Sequence, residues 1–377
     1  MSVPFFSTTH SFTKQWPLIE EKLDRVIDTG QFTNGPMVKE LERAIEVFTG
    51  AKHAIAVGNA TDALIIMLHA AGIGEGDEVL VPSFTFFASA SSIAHVGAVP
   101  VFCDIDPITY SIQPEEIERK LTSRTKAIMP VHLFTQMADM DQIRKIADKH
   151  QLLILEDSAE AISMFNDGLH AGLVGDAGVI SFFPTKTLGA IGDAGMILTN
   201  NDWIAKQARR LRLHGQDEGI PYIHHLVGYN SRMDDIQAAV LLVRLQCLQG
   251  EIAKRAYLAA CYDRELQKLV QVQTPRIKER TDTANPVYYV YLIEVEHRDD
   301  LVAFLAEHEI GTETYYPIAL HTQPCFKELR YEEGSMPNAE RACTRTVGLP
   351  LYPDMTEADV AEVRQVIEQF FEREDKR

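Results

Sequence analysis

From about residue 50 the chain alternates short β-branched runs with helical stretches, and few folds accommodate that rhythm. "DEVLVP" (77–82), "VPVFCD" (99–104), "KAIMPVHLF" (126–134) and "LLILED" (152–157) read as strands, while "FFASASSIAHVG" and a polar stretch near 139–150 read as helices. Strand, crossover, strand, repeated in this way, predicts an α/β fold whose mainly parallel sheet is flanked by helices. "DAGVISFF" (176–183) and "GMILTN" (195–200) continue as strands, and "DWIAKQARRLRLHG" as a helix closed by Gly215. A long helical pattern from about Met233 to Leu269 then breaks the alternation. Beyond it "YYVYLIEV", a helix starting near Asp299, "TETYYPI" and an amphipathic helix from Thr356 predict a smaller α/β unit. A length of 377 residues, 46% of them hydrophobic, is enough for two cores. The expected division is a large domain over 1–245 and a small C-terminal domain over 246–377.

Charge and cysteine usage exclude several classes of partner. The net charge is −18, from 36 basic and 54 acidic residues, and no basic tract is present, which argues against a nucleic-acid backbone or an anionic membrane. Cys103, Cys247, Cys261, Cys325 and Cys343 are scattered without a CxxC pair, as suits a reducing cytoplasm without a zinc or disulfide framework. The start "MSVPFFSTTHSF" has no basic segment followed by a long apolar run, and nowhere do 18 apolar residues follow one another. A cytoplasmic location is the expectation.

Open parallel sheets bind ligands at the carboxyl ends of their strands. Asp157 ends the apolar strand "LLILED", so its carboxylate is expected at the lip of the sheet; a helix cap or a loop acceptor is the structural alternative. Lys186 follows 29 residues later, beyond the next apolar strand, where adjacent strands would set the two groups across one pocket. Taken alone it reads equally as a surface or phosphate-binding lysine. "AVGNATDALIIMLHAAG" (56–72) passes through Gly58, Asn59 and Thr61 into an apolar helix; Thr61 is the expected cap, and the free N–H groups of such a helix start suit a phosphate. Gly72, Gly74 and Gly76 follow a helix and precede a strand, the wrong order for a dinucleotide loop. "SFTFFAS" (83–89) brings aromatic residues to the same edge, either as core or to stack on a flat ligand. His214, His224 and His225 lack a carboxylate or cysteine at ligand spacing, so a mobile polar loop is expected there and no metal. A Schiff-base lysine, a carboxylate for a pyridine nitrogen, a phosphate cup and an aromatic ring together match what pyridoxal phosphate needs.

With "GNATDAL", "GDEVLVPSFTF", "ILEDSAEA", "GDAGVISFFPTKTLGAIGDAG", "GYNSRMDDIQAAVL" and "YYPIALHTQP", the chain resembles the DegT/DnrJ/EryC1/StrS family of nucleotide-sugar aminotransferases. Those enzymes have the fold type I architecture. The resemblance implies that Lys186 binds the cofactor aldehyde and Asp157 pairs with the pyridinium nitrogen. It assigns the phosphate to Ser181, Thr61, the backbone of Ala60 and, across a homodimer interface, Asn230; Phe86 would stack on the ring and Glu160 would stand near the cofactor hydroxyl. Arg232, Tyr315, Tyr316 and His321 are implied sugar contacts. L-Glutamate is the implied donor and a UDP- or dTDP-linked keto-sugar the implied acceptor. "K-x-L-G-x-x-G-D-x-G" at 186–195 is similar to members that aminate C3, whereas C4-acting members tend to a "GEGG"-like run. Dehydratases of the family replace the lysine with histidine, and a non-enzymatic regulator is expected to have a broken cofactor site. Ala60 and Thr135 replace frequent glycines, and Tyr315 a frequent histidine.

Overall fold

In the computed structural model, residues 3–278 and 286–374 are described. Two helices, α1 (Thr9–Thr29) and α2 (Pro36–Thr49), precede β1 (His53–Val57), α3 (Ala60–Ala70), β2 (Glu78–Pro82), α4 (Phe87–His95) and β3 (Val99–Cys103). The alternation continues through α5 (Pro114–Lys120), β4 (Thr125–Ile128), α6 (Met140–His150) and β5 (Leu153–Asp157). Short strands β6 (Phe165–Asn166) and β7 (Leu169–His170) form a separate ribbon before β8 (Ala177–Ser181), β9 (Gly195–Thr199) and α7 (Asp202–Leu211). The remainder is α8 (Asp235–Leu266), β10 (Tyr291–Glu294), α9 (Arg298–Glu307), α10 (Pro337–Arg345), β11 (Thr346–Leu349) and α11 (Glu357–Glu374).

The main sheet has the order β1-β9-β8-β5-β4-β2-β3. Pairing is parallel from β8 through β5, β4 and β2 to β3, and antiparallel on both sides of β9, so β9 alone runs against the other six. The reason is the link. Parallel neighbours need a crossover, usually helical, and residues 182–194 between β8 and β9 contain no helix. That helix-free return is the segment that carries Lys186.

Side chains alternate between the two faces of the sheet, as a period of two requires. Ile55, Val57, Val79, Val81, Val179 and Ile197 join one core with α3, α4 and α7. Ala54, Ala56, Ile180, Met196 and Leu198 join the opposite one with α2 and the first half of α8. Because every strand except β9 runs the same way, the carboxyl ends of β1, β2, β5 and β8 and the start of β9 meet at one edge.

The 32-residue α8, about 48 Å long, is one helix with two partners. Leu241, Leu242 and Leu248 pack under the sheet, while Leu258, Ala259, Tyr262 and Leu266 pack with β10, β11, α9 and α11. Its length and composition would suffice to cross a bilayer, yet it carries buried Arg244 and Arg255 and serves both cores. Val3 belongs to the second core and bridges Ile310, so the first residues return to the C-terminal unit.

The helix predicted to close at Gly215 ends earlier, at Leu211. Arg212 turns inward, donating to Glu42 Oε1 (2.6 Å), Ala56 O (2.8 Å) and Glu218 Oε1 (2.7 Å), and Leu213 bridges Asn230. Those contacts draw the chain out of the helix before Gly215 is reached.

Candidate active site

A helix start with free N–H groups sits where β1 gives way to α3. Asn59, not Thr61, caps the helix: its Oδ1 accepts from Asp62 N at 2.8 Å. Asparagine at that position satisfies one orphan donor of the first turn. The N–H groups of Ala60 and Thr61 have no acceptor among the described residues. Ala60 is already helical, so a methyl in place of glycine costs nothing in backbone conformation.

The start of β9 explains why this turn lies so close to the sheet. A Cβ on Gly195 would stand 2.5 Å from Asn59 C and 2.7 Å from Ala60 N, so only glycine lets the helix start rest there. Gly195 pairs with Val57 on one side and Ser181 on the other. The Ser181 hydroxyl, buried at the end of β8, accepts from Phe183 N at 3.3 Å and keeps its own hydrogen to donate. Gly195→Ala is expected to cost about 1–3 kcal/mol and to speed cofactor release; thermal unfolding and cofactor retention on gel filtration measure both.

Asp157 ends β5 and is buried. Its Oδ2 accepts from Ser89 Oγ (2.7 Å) and its Oδ1 from Ala159 N (3.2 Å); Ser89 on α4 also meets Thr85 Oγ1 at 3.1 Å. Burial pushes the carboxyl above its ordinary pKa, against the opposing pull of those hydrogen bonds and of the Lys186 charge. The carboxylate is thus oriented but undercompensated, which favours a cationic partner.

Lys186 lies in the β8–β9 return, whose tightness depends on Gly189: a Cβ there would be 2.4 Å from Pro184 O. Lys186 Nζ stands 3.1 Å from Glu160 Oε1 and 4.2 Å from the centre of the Tyr289 ring. Burial works against the ammonium, but Glu160 and Tyr289 outweigh it and hold the pKa above the ordinary lysine value. The second oxygen of Glu160 accepts from Phe134 N at 2.8 Å.

An aromatic wall faces these groups. Phe86, immediately before α4, is 58% exposed, with its ring centre 6.2 Å from that of Tyr316. Tyr316 rests on Phe84 (5.6 Å) and Phe134 (6.3 Å); burial first, then Glu160, holds its hydroxyl well above the ordinary tyrosine pKa. Tyr315 turns the other way, onto Phe134 (5.8 Å) and Phe5 (6.2 Å).

Other predicted residues have different employment. His321 is buried; Nδ1 lies 2.6 Å from Ser83 Oγ and Nε2 3.1 Å from Glu340 Oε1. With both ring nitrogens engaged, it ties β2 to α10 and leaves no polar atom for a sugar. Asn230 is exposed and accepts from Arg232 at 2.6 and 3.1 Å, while the buried Ser231 between them binds Gly58 N and Asp62. His224 Nδ1 meets His214 O at 2.7 Å and His225 pairs with Asp217 at 3.1 Å. Among the described residues no cluster of histidine, cysteine and carboxylates could hold a metal ion. Sequence reasoning missed Ser89 and Tyr289. A serine buried in the small-residue run "FASASS" was a faint signal for the first; nothing local pointed to the second.

The residues fit pyridoxal phosphate: a helix start with two unpartnered N–H groups, an oriented carboxylate that favours a cation, an amine and an exposed ring share one edge. Such an edge on this sheet defines a fold type I, pyridoxal-phosphate-dependent transferase. The chain belongs to the DegT/DnrJ/EryC1/StrS aminotransferase family, whose profile matches residues 17–368, and it is a nucleotide-sugar aminotransferase. It is 44% identical to the pleiotropic regulatory protein of Geobacillus stearothermophilus, covering 98% of this chain and 99% of that one. It is 40% identical to the UDP-2-acetamido-2-deoxy-3-oxo-D-glucuronate aminotransferase of Pseudomonas aeruginosa, covering 91% and 94%. The crystal structure of S. venezuelae DesV in complex with a ketimine intermediate superposes with a TM-score of 0.93 at 33% identity, covering 98% of each chain.

Proposed function

We propose that the enzyme moves the amino group of L-glutamate to C3 of a UDP- or dTDP-linked 3-keto-sugar. The observation that carries the reading is Lys186 and Asp157 held at one sheet edge, with the segment "KTLGAIGDAG" between Lys186 and Gly195. The Pseudomonas relative, named for a 3-oxo UDP-sugar, supports the same regiochemistry. Against the regulatory name of the Geobacillus relative, Lys186 and the buried Asp157 at one sheet edge support the catalytic reading.

Bound pyridoxal phosphate supplies an aldehyde that takes up the amino group and a ring that accepts an electron pair. In this reading Asp157 holds the proton on the ring nitrogen. Lys186 Nζ would release the aldehyde carbon to the incoming amine and carry the donor Cα proton to that carbon, after which water would free the 2-oxo acid and leave the nitrogen on the cofactor. The same groups run these steps backward on the keto-sugar. Ser181, Thr61 and the Ala60 backbone hold the phosphate, and Phe86 covers one face of the ring. Asn230 of the partner subunit completes the cup in a homodimer. Exposed apolar side chains in the preceding loop support that assembly, with Tyr222 90% and Val227 95% exposed in the single chain. Glu160 stands at the ring hydroxyl; Tyr316, Arg232 and, more remotely, Tyr315 face the sugar. The division into 1–245 and 246–377 and a cytoplasmic setting complete the proposal.

Mixing the cofactor-loaded enzyme with L-glutamate alone tests the donor half. Loss of the visible absorbance with about one 2-oxoglutarate per subunit is expected; release from another amino acid only, with glutamate inert, contradicts it.

A further inference from the structure

We propose that Tyr289 is a positioning residue for Lys186, forming with Glu160 a cradle that receives the lysine amine whenever it is not bound to the cofactor. The inference rests on the reading of Lys186 as the cofactor-binding lysine. Tyr289 lies before β10, more than a hundred residues beyond Lys186, and is buried. Its ring faces Nζ at 4.2 Å while Glu160 Oε1 approaches at 3.1 Å, so the ammonium is held between a π face and a carboxylate. The Tyr289 hydroxyl meets Thr185 Oγ1, on the residue next to the lysine, at 3.3 Å.

The two sides of the cradle are fixed to each other. Phe134 N donates to Glu160 Oε2 at 2.8 Å, and Phe134 O accepts from Tyr289 N at 2.8 Å. Behind the ring, Arg255 of α8 donates to Tyr289 O (3.1 Å) and Leu351 O (2.7 Å). The Tyr289 backbone and the Glu160 carboxylate are therefore tied to each other through Phe134. Lysine has a flexible four-carbon stem, and one that must leave the cofactor in the first half-reaction and return in the second loses rate if it wanders. The charged or titratable groups facing Nζ are Glu160, Tyr289 and Asp157, with Tyr315 adjoining Tyr289. Removing the ring removes a stabiliser of the ammonium, so the amine should lose its proton at lower pH.

Competitive acetylation of cofactor-free protein, read on the Lys186 peptide by mass spectrometry across alkaline pH, reports that titration without turnover. Tyr289→Leu is expected to lower the midpoint by about one pH unit and Tyr289→Phe, which keeps the ring face, by less. In the loaded enzyme Tyr289→Leu should lower kcat about tenfold with KM for glutamate unchanged. An unchanged midpoint in folded Tyr289→Leu overturns the cradle. If that variant does not fold, Tyr289→Met, which fills the space without a ring, is read in its place, and an unchanged midpoint and unchanged kcat there overturn the cradle. Borohydride reduction of the loaded, unsubstituted protein reads the underlying assignment separately: cofactor mass on the Lys186 peptide supports it, and cofactor on another lysine overturns it.

Discussion

Lys186→Ala should give a protein that binds pyridoxal phosphate without a covalent bond and turns over about 10⁴-fold more slowly, or not at all. In the proposed reading the amine both holds the aldehyde and carries a proton, and no neighbour can take either task. Glu160 is pinned by Phe134 N, and burial holds the Tyr316 hydroxyl well above the ordinary tyrosine pKa, so it is no base at ordinary pH. The variant should also lose some stability, since Glu160 would be left buried without its cation. Borohydride reduction followed by intact mass, together with 2-oxoglutarate release, measures the main effect. Retained covalent attachment with retained turnover would sink the assignment.

Asp157→Asn should separate stability from catalysis. In the proposed reading its carboxylate is the anion that meets the ring nitrogen, and losing a preorganised charge of this kind costs about 10²–10³ in kcat. Stability should move the other way in the cofactor-free protein. Burial raises the folded pKa of Asp157 above its ordinary value, so the unfolded chain releases this proton first. The stabilisation from the protonated group is full below the ordinary carboxylate pKa and is lost as pH rises through the folded value. At neutral pH the ionised carboxylate is therefore a burden that asparagine lacks, and the cofactor-free variant should melt at an equal or higher temperature than the parent. At acid pH, below both values, the difference should vanish. A variant that is active at the parental rate, or that is less stable only at neutral pH, contradicts this role.

How much of this was legible beforehand follows from the range of each interaction. Strand periods and strand-end polar residues are local, so the parallel sheet and the pairing of Asp157 with Lys186 at one edge could be read from "LLILED" and "SFFPTK". The reversal of β9 was hidden because it follows from a missing helix, not from any residue in the strand. The cap at α3 was misplaced by two residues: both Asn59 and Thr61 are capping types, and only the backbone shows that Ala60 is already helical. His321 looked available because its partners Ser83 and Glu340 are 238 and 19 residues away. Tyr289 was invisible for the same reason, its importance arising only where a segment after α8 folds back over the β8–β9 return. Thr135 is not among the residues with positive φ, so it stands in place of a frequent glycine without backbone strain.

The most direct test is the position of nitrogen in the product. Incubating the enzyme with L-glutamate and matched 3-keto and 4-keto UDP- and dTDP-sugars, then assigning the product by NMR, reads it without ambiguity. A new C3–N bond from a 3-keto acceptor, with loss of that product in Lys186→Ala, is the expected result. Amination confined to C4, or formed equally well without Lys186, would contradict it.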